Sequence, residues 1–414
     1  MAQGSGRAKA AAVAVGIGLV VVAFFVFWLS NRDFSAGRAD FMYLADAFLH
    51  LRVWVPVGLA PNAPRVGVND VIVIGDRIYV PFAPFPAIVL MPLVALIGPV
   101  NADHIETGIN ALLAAIVVGL SYWVAGRIGT RGILGRLFLA ILLGFSTQIW
   151  WVTTRGGVWH TGHLIATILV LLLIAEMFGR SRALLMGLLV GFAFLTRAPL
   201  AFAAPGIALW VLDASGALDR STLGRRIDAL PWRDWGMLVL GFLPGLAFFL
   251  FYNWARFGSI LESGYDMATL PAWLDALRQQ GLFSPVHVKM NLEYLFTKLP
   301  EFNSQFPWFR PDGLGMSVLF TSPALLLAML APWRDRRTWI LLITAALVLI
   351  PTLLYYGGGW LQYGYRYFLD SIPFVWAMVA MYGAKRGGFP WWAWVLLGWG
   401  VLIGLGGVYW AYHL

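Results

Sequence analysis

The sequence predicts an all-α polytopic membrane protein of about eleven transmembrane helices with a cytoplasmic N-terminus, on three observations. Apolar residues make up 60% of the 414-residue chain and charged residues 12%, where a soluble domain carries about 25% charged residues. The apolar residues fall in repeated runs near the ~20 residues that a spanning helix needs. The basic residues gather in short segments between those runs and, followed along the chain, return to one side. With a mean hydropathy of +0.75, the whole chain, 1–414, reads as one integral-membrane domain.

The formal charge of +9 raises nucleic acid as a partner. The positions of the charges argue against it, because they sit at the ends of apolar runs, mostly as Arg, where they set membrane topology. Zero cysteines exclude disulfides, thiolate chemistry and Cys-ligated metals.

The first apolar run, 10–29, ends at the polar Asn31, Arg32 and Asp33 without a small-residue cleavage site, and reads as a retained anchor. Further spans are expected at 107–125, 137–152, 164–178, 183–195, 200–212, 237–252, 317–331, 340–355, 368–381 and 391–409. With Arg7 and Lys9 in the cytoplasm, the same side receives Arg127, Arg131 and Arg136, then Arg180 and Arg182. It also receives Arg220, Arg225, Arg226 and Arg233, then Arg334, Arg336 and Arg337, and finally Lys385 and Arg386. One missed helix would invert every later cluster, so their agreement is the main support for this topology. The implied location is the plasma (inner) membrane.

The opposite, extracytoplasmic side then holds two long loops, 30–106 and 256–316, and short connections at 153–163 and 357–366. His50, His104, His160, His163, His287 and His413 all fall there. Within 38–54, Phe41, Leu44, Phe48 and Leu51 recur at helical spacing, and Asp40, Tyr43, Ala47 and His50 line another face. This predicts a helix lying along the interface. Val71 to Ile74 and Arg77 to Val80, separated by Gly75-Asp76, predict a small hairpin. The apolar stretch 87–96 follows Pro81, Pro84 and Pro86 and is too short for a span, so it reads as re-entrant or interfacial.

The order of these features resembles the GT-C superfamily of integral-membrane glycosyltransferases, especially bacterial relatives of protein mannosyltransferases and aminoarabinose transferases. The resemblance rests on Asp40-Phe41-Met42-Tyr43 soon after the first span, and on Tyr79-Val80-Pro81-Phe82-Ala83-Pro84-Phe85-Pro86. It continues through Leu195-Thr196-Arg197-Ala198-Pro199, Tyr252-Asn253, Glu262-Ser263-Gly264-Tyr265 and Gly364-Tyr365-Arg366-Tyr367. What it implies is a GT-C-like fold with a long first external loop. It also implies sugar transfer on the external face from a polyprenyl-phosphate-linked donor to an acceptor hydroxyl, with inversion. The acceptor class, whether lipid, glycan or protein, stays open, and the setting is cell-envelope glycan biosynthesis.

A lipid-phosphate-linked sugar already carries a good leaving group, so the protein must mainly deprotonate the acceptor and steady the departing phosphate. Asp40 is the expected general base, set against an ordinary charge at a helix N-terminus; Asp33 is the substitute. Arg366, among Tyr363, Tyr365 and Tyr367, suits a phosphate whose tail stays in the bilayer, or else belongs to an aromatic belt. Arg197 either binds lipid phosphate or ties its turn to a carboxylate. His160 and His163 would hydrogen-bond sugar or phosphate, or tie a helix end to its neighbours. A divalent metal on them and Asp40 lacks a further ligand, so neither metal nor other cofactor is expected. Tyr43, Glu262, Tyr265 and Tyr367 complete the expected substrate contacts, and 273–309 either covers the site or is a solvated cap. The competing function is a transporter or flippase of lipid-linked sugars, which would be expected to place polar groups near the membrane midplane.

Overall fold

The computed structural model describes residues 2–31, 38–59, 63–64, 70–218, 230–306 and 308–412. Asp33, His413, Arg220, Arg225 and Arg226, and the side chains of Arg7 and Lys9, lie outside this description.

Helix α1 (Ala2–Leu29) leads to α2 (Asp40–Leu49) and a small antiparallel sheet of β1 (Val55–Pro56), β2 (Ile72–Ile74) and β3 (Arg77–Tyr79). Four helices follow up to Phe145: α3 (Phe85–Ile97), α4 (Pro99–His104), α5 (Glu106–Ile128) and α6 (Ile133–Phe145). Next come α7 (Ile149–Val152), α8 (Val158–Met177), α9 (Ala183–Phe194), a 3₁₀ turn Ala198–Ala203 and α10 (Ala204–Ala214). Helix α11 (Trp232–Phe257) precedes α12 (Ala272–Arg278), α13 (Val288–Leu292) and a hairpin of β4 (Glu301–Phe302) and β5 (Phe309–Arg310). The chain closes with α14 (Val318–Thr321), α15 (Arg336–Leu354), a 3₁₀ turn Arg366–Asp370, α16 (Ile372–Arg386) and α17 (Trp391–Tyr412).

Six of these, α1, α5, α8, α11, α15 and α17, contain stretches long and apolar enough to cross a membrane. Shorter apolar helices lie at Phe85–Ile97, Ile133–Phe145, Ala183–Phe194 and Ala198–Ala214. The expected span at 137–152 breaks after Phe145, because Thr147 Oγ1 donates to Leu143 O at 2.6 Å and accepts from Ile149 N at 3.3 Å. A threonine that bonds its own backbone in this way competes with the helical ladder. The expected span at 317–331 is two pieces, α14 and a 3₁₀ segment Pro323–Leu330, since Pro323 cannot continue the first.

Helices α9 and α11 approach most closely through matched glycines, Gly187 and Gly191 on one and Gly241 and Gly245 on the other. A methyl built on Gly245 would lie 2.6 Å from Gly191 O. Small residues four apart let two backbones meet where lipid provides no hydrophobic drive to pair.

The hairpin β2–β3 forms as expected around Gly75, whose φ is +62°, with Ile72 opposite Tyr79. Strand β1 adds to its other edge, Val55 opposite Ile78. Ile72 and Tyr79 pack with Ala268 and Phe257, which fastens the sheet to the end of α11. Helix α2 also forms, but it is enclosed rather than laid on a surface: Phe41 and Leu44 are buried, and so are Asp40, Tyr43 and Ala47. Packing by α3, Val158 and Tyr252 covers it.

Opposite helix ends differ in charge. Asn31 donates to Thr107 O, Trp150 to Ser30, Arg155 to Ala411 O and Arg256 to Val80 O. These bonds gather the C-terminal ends of α1, α11 and α17 and the N-terminal ends of α5 and α8 at one end of the bundle. Arg127, Arg182, Arg233, Arg336 and Arg386 sit at or next to the other ends of α5, α9, α11, α15 and α16.

Candidate functional site

Two cavities open at the end of the bundle where the long connections lie, and they share a wall. The larger, about 640 Å³, is lined by Arg38, Asp70, Arg155, Trp159 and His160, with Trp273 and Trp360 among its outer residues. The smaller, about 360 Å³, runs among Phe41, Ala83, Gly162, Thr196 to Pro199, Phe249 and Pro351. Phe82, Trp159, Tyr265, Tyr355, Arg366 and Tyr367 border both.

Arg366 is the distinctive group of that wall. The 3₁₀ turn at the entry to α16 carries it, and its side chain is buried, 6% of the residue being exposed. Its guanidinium carbon lies 5.6 Å from the Tyr367 ring centroid. Its Nε has no hydrogen-bond partner, and no carboxylate stands within ion-pair distance among the described residues. Burial pulls its proton affinity down from the usual arginine value, which does not discharge it at any ordinary pH. A buried cation without a counterion is costly unless an anion completes it.

Arg197 is different. Its Nε donates to both oxygens of Asp370, at 2.6 and 2.7 Å, and its guanidinium carbon lies 5.6 Å from the Tyr367 ring centroid. Of the two roles open to it, the tie to a carboxylate is the one the structure contains. His163 Nδ1 lies 3.4 Å from the same Asp370, so the arginine, histidine and aspartate form one buried group.

Asp40 is fully buried in the first turn of α2 and paired with Arg38 Nη2 at 2.7 Å. Burial raises its pKa to about 6; Arg38 pulls the other way, and the nearby charge of Asp70 adds to the rise. Asp40 does not itself line either cavity: Arg38, whose guanidinium lies 5.5 Å from the Trp159 ring centroid, stands at the wall beside it. Asp70 does line the larger cavity, with φ +59° and its N–H bonded to Thr269 O at 2.8 Å. Burial raises its pKa as well, against Arg38, a hydrogen bond from Trp159 and Arg366.

The other expected contacts divide. His160 faces the larger cavity, its Nδ1 3.3 Å from Gly156 O, and His163 the smaller one. Tyr265 and Tyr367 border both, and burial pushes the Tyr265 hydroxyl up to about 12. Tyr43, Glu262 and Tyr363 line neither cavity. Tyr43 donates to Asp103 at 3.3 Å, Glu262 accepts from Gly264 N at 2.7 Å, and Tyr363 donates to Ile403 O in α17 at 2.5 Å. All three are held by intramolecular bonds away from the walls. No three His, Asp or Glu side chains form a metal-holding group among the described residues.

Several site residues had no signal in the sequence reading. Arg38, Asp70, Arg155, Trp159, Tyr355 and Asp370 enter through the folded geometry. Glu106 does too: it is 1% exposed, accepts from Thr161 Oγ1 at 3.4 Å, and backs the Gly156 turn before His160. Comparison with protein-family models, curated proteins and solved structures gave no match.

Proposed function

We propose that this chain is a membrane glycosyltransferase that moves a sugar from a polyprenyl-phosphate-linked donor to an acceptor hydroxyl on the extracytoplasmic face of the plasma membrane. The observation that carries the reading is Arg366, a buried arginine without a carboxylate partner on the wall between a smaller, largely apolar cavity and a larger, polar one. The smaller cavity suits the lipid end of the donor and the larger one the sugar and acceptor. Arg366 would then lie against the phosphate, the form of anion that a guanidinium fork binds best.

The chemistry is a single displacement. The acceptor oxygen forms a bond to the anomeric carbon as the bond from that carbon to the phosphate oxygen breaks. The polyprenyl phosphate leaves with the electron pair, stabilised by Arg366, and the hydroxyl proton passes to a carboxylate. Attack opposite the leaving group inverts the anomeric centre.

Asp40 is that carboxylate in this reading, and Arg38 governs it. An incoming phosphate attracts Arg38 as well as Arg366; once Arg38 turns to it, Asp40 loses its cation and becomes a stronger base. Asp70, already at the wall, is the competing base.

The test is purified protein in lipid discs with a panel of polyprenyl-phosphate sugars, comparing the native chain with Asp40→Asn, Asp70→Asn and Arg366→Ala. Bond cleavage by the native chain and its loss in Asp40→Asn are expected. Full activity in Asp40→Asn together with loss in Asp70→Asn would move the base to Asp70. Transbilayer movement of the donor with no cleavage would replace the reading by a flippase.

A further inference from the structure

Two tryptophans stand at the mouth of the larger cavity with their rings in contact. Trp273 comes from α12 and Trp360 from the connection between α15 and α16, so the pair joins segments far apart in the chain. Their ring centroids are 5.3 Å apart, with planes inclined at 50°. Trp273 is 41% exposed and Trp360 55%, so neither ring is there to fill a core.

Both segments are held firmly. Arg278 donates to Tyr265 O at 3.0 Å and to Ala268 O at 2.9 Å, which docks α12 against the loop beneath it. Gln362 Nε2 donates to Leu314 O at 2.6 Å and Gly358 O at 2.8 Å, fastening the turn that presents Trp360. Leu361, next to Trp360, sits at φ +46°, a conformation that costs a leucine energy and persists only where its surroundings impose it. Rings presented this way lose little freedom on binding a ligand.

Exposed tryptophans in a membrane protein ordinarily mark the lipid interface. Trp254, Trp391 and Trp399 fit that account, since they lie on the long helices α11 and α17. Trp273 and Trp360 do not, because they border the same cavity as Arg38, Asp70 and Arg155. A ligand for this mouth must have apolar faces to cover two indoles and a polar rim to meet charged and backbone groups. A pyranose has that form: its C–H bonds make flat apolar faces and its hydroxyls radiate from the edge. Two indoles at an angle offer a face to each of two successive sugar units.

We propose that Trp273 and Trp360 form a saccharide-binding subsite and that the acceptor is a glycan, whose end reaches from the indoles inward to the charged wall. Saccharide binding stands on the rings alone; the word acceptor rests on the glycosyl-transfer reading.

The test uses the full-length protein in lipid discs and neutral gluco-, manno-, galacto- and N-acetylglucosamine-based saccharides of one to six units, read by saturation-transfer NMR on the ligand. Saturable binding to the native chain is expected, tightening from one unit to two or three. The Trp273→Ala/Trp360→Ala variant should bind at least tenfold more weakly, with partial recovery in Trp273→Phe/Trp360→Phe, and thermal unfolding confirms that each variant is folded. No saturable binding by the native chain, or undiminished binding by a folded Ala variant, overturns the subsite. Saturable native binding without cleavage of any polyprenyl-phosphate donor upholds the subsite and defeats the glycosyl-transfer reading.

Discussion

At the scale of single residues, two arginines twelve or more helical turns apart in sequence illustrate opposite uses of one side chain. Arg197 is satisfied by Asp370, whereas Arg366 has no carboxylate. Removing one partner of a buried pair typically costs about 3–5 kcal/mol, so Arg197→Met should lower the unfolding temperature markedly. Arg366→Met should leave the donor-free protein as stable as the native chain or more so, while donor KM rises roughly tenfold or more, the cost of a lost charged hydrogen bond. A fall in stability equal to that of Arg197→Met would make Arg366 a structural residue. For Asp40, the deprotonated form is the base, so activity should rise as pH increases through about 6. Asp40→Asn should lose a hundredfold or so of rate, within the ~10²–10⁴ that general catalysis contributes. The raised pKa means that the folded chain holds this proton more tightly than the unfolded one. Its stabilising contribution is therefore full below 3.8 and is lost as pH rises through about 6. Asp40, Arg197 and Arg366 were legible in the sequence because a charge beside an apolar run demands a reason. Asp370 was not, since its partner Arg197 lies 173 residues away and no local pattern links them.

At the scale of elements, apolar run length located the six long helices, and the hairpin announced itself through a two-residue Gly-Asp turn. The pieces around 146–148 and 317–331 were hidden by composition: their residues are apolar enough for a span, and the break comes from one threonine hydroxyl and one proline. Helix α2 was legible as a helix, but its burial depends on α3, α8 and α11 closing over it. The α9–α11 contact yields a sharper expectation. Gly245→Val should destabilise the protein by about 1–3 kcal/mol, the usual cost of overpacking, because even a methyl would meet Gly191 O. Gly236→Ala on the same helix meets nothing within 4 Å and should be neutral or stabilising by about 1 kcal/mol. Thermal unfolding in detergent compares the two; equal effects would deny that the glycines set the helix spacing.

For the whole molecule, the separation of basic helix ends from the cavities supports the sidedness that the arginine clusters suggest. The absence of cysteine from the chain makes this easy to probe, because a single introduced thiol is the only one present. Ser259→Cys in intact cells should react with a membrane-impermeant maleimide, and Arg131→Cys only after permeabilisation. The reverse pattern would place the cavities in the cytosol and remove the extracytoplasmic reaction.

The wall common to both cavities bears on what happens once a transfer is complete. The spent carrier, still anchored by its hydrocarbon tail, would drift away sideways into the bilayer, while the lengthened glycan would depart into water. Partition into separate phases makes the two products poor candidates to meet again at Arg366, so an exchange with little intrinsic bias would still run forward.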